Sequence, residues 1–291
     1  MKQLAILSGK GGTGKTSITA CFAGLLKKSV IVDCDVDAPD LHMLLHPKIL
    51  QSEQFQCSKI AEVDFAKCDK CGLCKKNCRF DAFTIDFQVK DLACEGCAVC
   101  ALVCPNNAIT LKDRISGNAY ISEIEAGFMS HALLNPGEGN SGKLVTLVRQ
   151  NAKSLAEREN LEFILIDGPP GIACPTIATI SGIDACLIVA EPTFSGFHDL
   201  KRILKLLKNF NIISFVCINM FDINRDNAKK ITDFCHEKQI KVVGKLPFSS
   251  LVTQAMIKEK TIIEYSPNSK ISKEIVSMWK KILKIMDSIN K

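Results

Sequence analysis

The chain has 291 residues, 47% of them hydrophobic and 23% charged. That is enough apolar material for one large α/β domain or two smaller ones, and it excludes a disordered chain. The formal charge of +6 counts every thiol as neutral and is a poor argument for a nucleic acid partner. No apolar run approaches the roughly 18 residues of a membrane span, and the first residues lack the pattern of a signal peptide. A cytoplasmic location is therefore expected, with the fifteen cysteines kept as thiols or metal ligands rather than disulfides.

The first expected strand is "QLAILSG", and it runs into Gly9-Lys10-Gly11-Gly12-Thr13-Gly14-Lys15-Thr16. This satisfies G-x-x-x-x-G-K-[ST] between a strand and a helix predicted over 14–27, the context in which glycines let backbone N–H groups converge on phosphate. Lys15 is placed to reach β- and γ-phosphates, Thr16 to bind Mg2+, and Ser17 continues the cradle. The next buried run, "SVIVDCD", ends in Asp33 and Asp35; carboxylates leaving a buried strand suit metal and water positioning, although either could instead cap a turn.

From about Ser58 to Asp113 the long apolar runs stop and cysteine dominates. "CDKCGLCKKNCRFDAFTI" (68–85) aligns without a gap to "CEGCAVCALVCPNNAITL" (94–111), the mark of a small duplicated unit. Each copy carries C-x2-C-x2-C-x3-C: Cys68, Cys71, Cys74 and Cys78, then Cys94, Cys97, Cys100 and Cys104. Paired zinc sites use separated C-x2-C pairs instead. The spacing is that of two-cluster bacterial ferredoxins, in which the fourth cysteine of each run crosses to the other cluster. On that pattern Cys68, Cys71, Cys74 and Cys104 hold one [4Fe-4S] cluster, and Cys94, Cys97, Cys100 and Cys78 the second. Two such clusters at about −2 each would bring the net charge near +2. Pro105 follows Cys104 as the pattern expects, but Arg79 follows Cys78.

Further β-rich runs follow at "EFILIDGP", "ACLIVAEP", "IISFVCINM" and "KVVGKLPF", with helices expected over 196–208 and 225–238. The alternation predicts an α/β, doubly wound, mostly parallel sheet. The boundaries are residues 1–57 and 114–291 for this larger domain and 58–113 for a small inserted α+β one. The terminal stretch 271–291 reads as a basic amphipathic helix, expected to pack on the sheet rather than on a membrane.

The second lysine of "KGGTGKT", Lys10, resembles the deviant Walker A motif of the MinD/ParA/nitrogenase iron protein family, and the resemblance covers the chain outside the insertion. It implies ATP as ligand, a homodimer or a heterodimer with a related ATPase, and Lys10 crossing to the partner's nucleotide. It assigns Asp33 and Asp167 to the Mg2+ shell and Asp35 to orienting the attacking water. Residues 168–171 then sense the γ-phosphate, while Asn219 and Pro247 contact the base. Cys174 resembles a cluster ligand beyond switch II in the nitrogenase iron protein, which would make it a dimer-interface metal site. "GEGNSGKLV" (137–145) and "EPTFSGFHDLKR" (191–202) also resemble MinD-type ATPases with inserted ferredoxins.

Three functions are then open. The first is MgATP hydrolysis in a dimer switch that gates electron transfer to a redox partner protein. The second is an iron–sulfur assembly or carrier ATPase of Mrp type acting on a client protein. The third is a spatial organiser like MinD.

Overall fold

The computed structural model describes residues 1–138 and 141–289. Gly139 and Asn140, inside "GEGNSGKLV", and Asn290 and Lys291 lie outside the described residues. In chain order the elements are β1 (Lys2–Ser8), α1 (Lys15–Ala23), β2 (Ser29–Asp33), α2 (His42–Leu45), β3 (Lys48–Val63), α3 (Leu73–Asn77), α4 (Val99–Leu102), β4 (Ile109–Ile124), β5 (Gly127–Leu134), α5 (Ser141–Arg158), β6 (Phe163–Pro170), α6 (Cys174–Ile180), β7 (Ala185–Ala190), α7 (Phe194–Asn209), β8 (Ile213–Asn219), α8 (Arg225–Glu237), β9 (Lys241–Leu246), α9 (Ser250–Ile257), α10 (Ile262–Tyr265) and α11 (Lys270–Ile289).

Two compact units result. The first comprises Met1–Ser52, Ala119–Leu133 and the described residues from Ser141 onward. The described strands join in the order β3-β4-β5-β2-β6-β1-β7-β8-β9. The pairs of β1 with β6 and β7, of β2 with β5 and β6, and of β8 with β7 and β9 are parallel. The six expected runs are strands of this sheet, and β3, β4 and β5 are additions to them. β4 and β5 are joined by Glu125-Ala126 alone, a connection only a hairpin can make. α1 ends at Ala23, short of the expected 14–27.

The central strands β1, β2, β6, β7 and β8 are apolar and buried on both faces because helices cover each side. α11 buries Ile271, Ile275, Met278, Trp279, Ile282 and Met286 in the main core. Trp279 meets Phe22 at 4.6 Å and Phe163 edge-on at 5.6 Å between ring centroids, so the apolar stripe of this helix is spent inside the unit. Among the described residues no helix is long and apolar enough to cross a membrane.

The second unit comprises Glu53–Asn118 and the described residues of Leu134–Asn140, so the outer lengths of β3 and β4 belong with the cysteine-rich segment. It has its own small core around Ala61, Ala82, Phe83 and Ile109, with Cys74 and Cys94 buried in it. The duplication persists in the backbone. Lys70 and Gly96, Gly72 and Ala98, and Asp81 and Asn107 occupy equivalent positions of the two copies, and all six are left-handed. Gly72 and Ala98 start α3 and α4. Ala82 N–H donates to Cys78 Sγ at 3.4 Å, as Ala108 N–H does to Cys104 Sγ at 3.3 Å.

Candidate functional site

The loop between β1 and α1 turns through Gly12 (φ 77°) and Gly14 (φ 88°), a region that side chains strain to enter. At Gly14 a Cβ would also come within 2.5 Å of Asn219 Nδ2. That amide donates to Thr13 O at 2.8 Å, so the end of β8 fastens the loop. Gly9 is equally constrained, since a Cβ there would strike Asp199 Cβ at 2.2 Å. Thr13 Oγ1 is buried without a hydrogen-bond partner among the described residues. A buried hydroxyl left without a partner signals an absent polar ligand.

The loop borders a cleft of about 780 Å3, lined by Gly11 to Ser17, Asp35, Asn219 and Pro247 among others. This size suits a nucleotide-scale ligand. Phe248, Val252 and Met256 add an apolar wall that the sequence did not single out. Ser17 Oγ lies 3.6 Å from Met256 Sδ on that wall.

Next to the cleft-lining Lys15 and Thr16, Asp33 and Asp167 are register partners on the neighbouring strands β2 and β6, each 1% exposed. Lys15 Nζ pairs with Asp167 Oδ2 at 3.0 Å. Thr16 Oγ1 donates to the same oxygen at 2.7 Å, and Thr19 Oγ1 to Asp167 Oδ1 at 2.7 Å. Asp33 accepts the Asp35 N–H at 3.0 Å. Burial, then the facing Asp167, push the Asp33 carboxyl up to about 8, with Lys15 opposing. Burial likewise raises Asp35 to about 6. Burial works against the charge of Lys15, yet Asp167, Asp33 and Asp35 outweigh it and its pKa is raised. Two facing carboxylates and a hydroxyl, with one ammonium to balance them, form a hard oxygen donor set suited to Mg2+ completed by phosphate oxygens.

Lys10 turns to its own chain. Its Nζ lies 2.5 Å from Glu191 Oε1 and 3.2 Å from Ser195 Oγ, at the start of α7. No local sequence signal links residues so far apart; only the resemblance of 191–202 marks that stretch. Cys174 opens α6 and is exposed, and a Cβ at Gly142 of α5 would lie 3.4 Å from its Cβ.

In the second unit, Cys78 lines the same small void as Cys94, Cys97 and Cys100, so the fourth cysteine of the first run meets three of the second. Cys74 is raised by burial and by the neighbouring Cys68 and Cys71. Cys100 is raised by burial and by Cys94 and Cys97. Cys104 and Cys78 pack against the small core, and Cys94 Sγ receives the Ala61 N–H at 3.5 Å. Among the described residues no three His, Cys, Asp or Glu side chains converge tightly enough to hold a single ion.

Comparison with known proteins identifies the family. Residues 4–262 match the family described as the CobQ/CobB/MinD/ParA nucleotide binding domain. Uncharacterized protein MJ0578 of Methanocaldococcus jannaschii is 34% identical over 284 residues, covering 96% of either chain. An iron-sulfur cluster carrier protein of Aquifex aeolicus is 24% identical over 141 residues, 44% of this chain and 39% of that one. Among solved structures, the septum site-determining protein MinD of Pyrococcus horikoshii, complexed with Mg-ADP, superposes with a TM-score of 0.60 at 16% identity, over 98% of this chain and 97% of that one. The fold, the glycine loop and the match along most of its length lead to one conclusion: the chain belongs to the CobQ/CobB/MinD/ParA nucleotide-binding domain family.

Proposed function

We propose that this protein is a MgATP-hydrolysing iron–sulfur protein, in which a nucleotide-dependent dimer switch gates electron transfer through two [4Fe-4S] clusters. The observation that carries the reading is the meeting of Cys78 with Cys94, Cys97 and Cys100 at one void, in a chain whose other unit carries a nucleotide cleft.

The donor set at one void has the chemistry of a cluster site, and Cys74 has Cys68 and Cys71 as neighbours for a second. Four thiols from two runs share one void, and backbone N–H groups of Ala61, Ala82 and Ala108 point at sulfurs, where they would stabilise thiolates. A four-iron cubane holds its thiolates at the corners of a body several atoms wide, so it does not require the tight convergence a single ion needs. Cys68, Cys71, Cys74 and Cys104 would hold one cluster and Cys94, Cys97, Cys100 and Cys78 the other. When bound, the clusters supply one-electron transfer. The separate small core formed by residues 53–118 would hold the two cysteine loops in place.

In the nucleotide unit, backbone N–H groups of the loop from Gly9 to Thr16 would bind phosphate oxygens, and Lys15 would neutralise them. Thr16, Asp33 and Asp167 would hold Mg2+. Asp35, its carboxyl raised toward neutrality by burial, would accept a hydrogen bond from the attacking water and orient it. Lys10 would exchange Glu191 for the partner's nucleotide. Loss of the γ-phosphate would release the strand ends after Asp33 and Asp167, the switch that gates transfer.

Anaerobic purification followed by iron, sulfide and MgATP-turnover measurements tests this reading. About eight irons per chain, with turnover that differs between oxidised and reduced clusters, are expected. Equal turnover in both states would remove the coupling.

The Aquifex aeolicus relative favours a second reading, an ATPase that carries clusters to client proteins, with the exposed Cys174 as a transient ligand. Transfer of a labelled cluster to an apo-protein, lost in Cys174→Ser, would select it.

A further inference from the structure

The two cysteine loops share a backbone but not a charge. At equivalent positions Lys70 corresponds to Gly96, Lys75 to Ala101, Lys76 to Leu102 and Arg79 to Pro105. Part of the reason is steric. A Cβ at Gly96 would lie 2.3 Å from Lys59 O, so no side chain fits there, whereas Lys70 is exposed. Lys75, Lys76 and Arg79 are exposed as well, and among the described residues none of the four cations has an ion-pair partner.

The nearby carboxylates are otherwise engaged. Asp69 accepts the Cys71 N–H at 3.1 Å, Asp81 pairs with Lys90 at 2.7 Å, and Asp64 pairs with Lys67 at 3.0 Å. Leu73 and Phe80, 38% and 37% exposed, supply apolar surface on the same stretch, and the Arg79 guanidinium lies over the Phe80 ring at 5.5 Å. Lys70 adjoins Cys71, Lys75 adjoins Cys74 and Arg79 adjoins Cys78. Lys90 first and then Lys75 hold the Asp81 carboxyl below its usual range, so the charge is partly offset, yet four cations against Asp69 and Asp81 leave a positive excess on the ligand loop itself, where Cys71 is exposed.

We propose that Lys70, Lys75, Lys76 and Arg79 form a docking rim for an acidic electron-carrier protein. The carrier exchanges one electron with the group held by Cys68, Cys71 and Cys74: the reduced carrier is oxidised, the cluster is reduced, and no bond is made or broken. The inference rests on the proposed function, since it presupposes bound clusters. Apolar contact ringed by charge is how specific transient interfaces are built, and complementary charge acts mainly by steering encounter. A single-stranded nucleic acid would need several aromatic faces for stacking, and this stretch offers only Phe80, one face of which meets Arg79. The second loop, with Leu92 and Leu102 more than four-fifths exposed and no matching cations, would not attract the same partner.

The test uses the full chain, purified anaerobically, and a strongly acidic [2Fe–2S] ferredoxin as the carrier. Cluster reduction is followed by stopped-flow absorbance for the wild type and for Lys75→Glu/Lys76→Glu. The second-order rate constant should fall tenfold or more in the variant at low salt, and the two proteins should converge as salt rises. Calorimetric affinity for the oxidised ferredoxin should fall in parallel. Iron and sulfide contents and the cluster absorbance should be the same in both, which shows the variant intact. Milder Lys75→Gln/Lys76→Gln should give an intermediate rate. Equal rates with ferredoxin, or loss in the variant only of RNA or anionic-vesicle binding, overturn the proposal while leaving the clusters in place. A preparation with no iron or sulfide overturns the proposed function and this inference together.

Discussion

Lys10 Nζ and Glu191 Oε1 form an ion pair 2.5 Å long within one chain, with the lysine side chain 40% exposed and the glutamate 13%. A lysine meant to reach another subunit must first leave this partner. The pair is partly solvated, so its release costs little, about 0.2–1 kcal/mol. Glu191→Gln should tighten dimerisation on a non-hydrolysable ATP analogue by up to about fivefold, measured by sedimentation. Lys10→Ala should abolish it. Equal dimerisation in Glu191→Gln and wild type would show that the pair restrains nothing.

Among the described residues Lys15 is the one ammonium that pairs with Asp167. Lys15→Met leaves Asp33 and Asp167 facing each other without it. Removing one partner of a buried pair costs about 3–5 kcal/mol. Denaturant titration of the nucleotide-free variant should show a loss of this order, and added Mg2+ should recover part of it. A loss under about 1 kcal/mol would mean that the Lys15–Asp167 pair adds no net stability to the nucleotide-free chain.

The raised Asp33 carboxyl sets a pH dependence of definite sign. In the unfolded chain it titrates near 4, and in the folded, metal-free chain near 8. Between these values the folded state binds the extra proton, so stability falls as pH rises from about 4 to about 8 and levels off above. Asp35 adds a smaller fall ending near 6. Urea midpoints in chelator should follow this slope, and Asp33→Asn should flatten most of it. With Mg2+ and nucleotide the slope should shrink, because the cation replaces the proton. A midpoint that climbs through this window even in Asp33→Asn would place the dominant titration elsewhere.

Cys78→Ser and Cys94→Ser should each remove about half the iron and leave the same electron paramagnetic resonance signal. Cys68→Ser should remove the other half and leave a different one. Cys174→Ser should leave the total unchanged. If the Cys78→Ser spectrum matches that of Cys68→Ser, the fourth cysteines do not cross between runs.

The central strands were readable because burial on both faces demands continuous aliphatic runs, as in "AILS" of β1 and "ILID" of β6. β3 was not. Its residues "KILQSEQFQCSKIAEV" are almost all exposed or half-buried, so neither a continuous run nor a clean alternation marks it. The phosphate loop was legible because its chemistry is local, with glycines, lysine and threonine contiguous. The hold on Lys10 spans from residue 10 to residues 191 and 195, and that of Thr19 on Asp167 spans two elements; both arise only when α1, β6 and α7 meet. The equivalence of the cysteine loops showed in the alignment. One part of their difference in charge, the glycine opposite Lys70, acquires its reason only from the carbonyl of Lys59 against Gly96.

The distribution of sulfur has a practical consequence. Burial pushes the thiols of Cys21, Cys34 and Cys217 up to about 12 and that of Cys235 to about 11, and raises Cys186 as well. These side chains present almost no thiolate to an oxidant or an alkylating reagent. Air would therefore attack Cys71, Cys97 and Cys174, which stand exposed, and spare the sheet. With the proposed clusters bound, a sample handled on the open bench would bleach without unravelling. Its cleft would outlive its colour, and an intact ATP-binding signal would say nothing about what the other unit had lost.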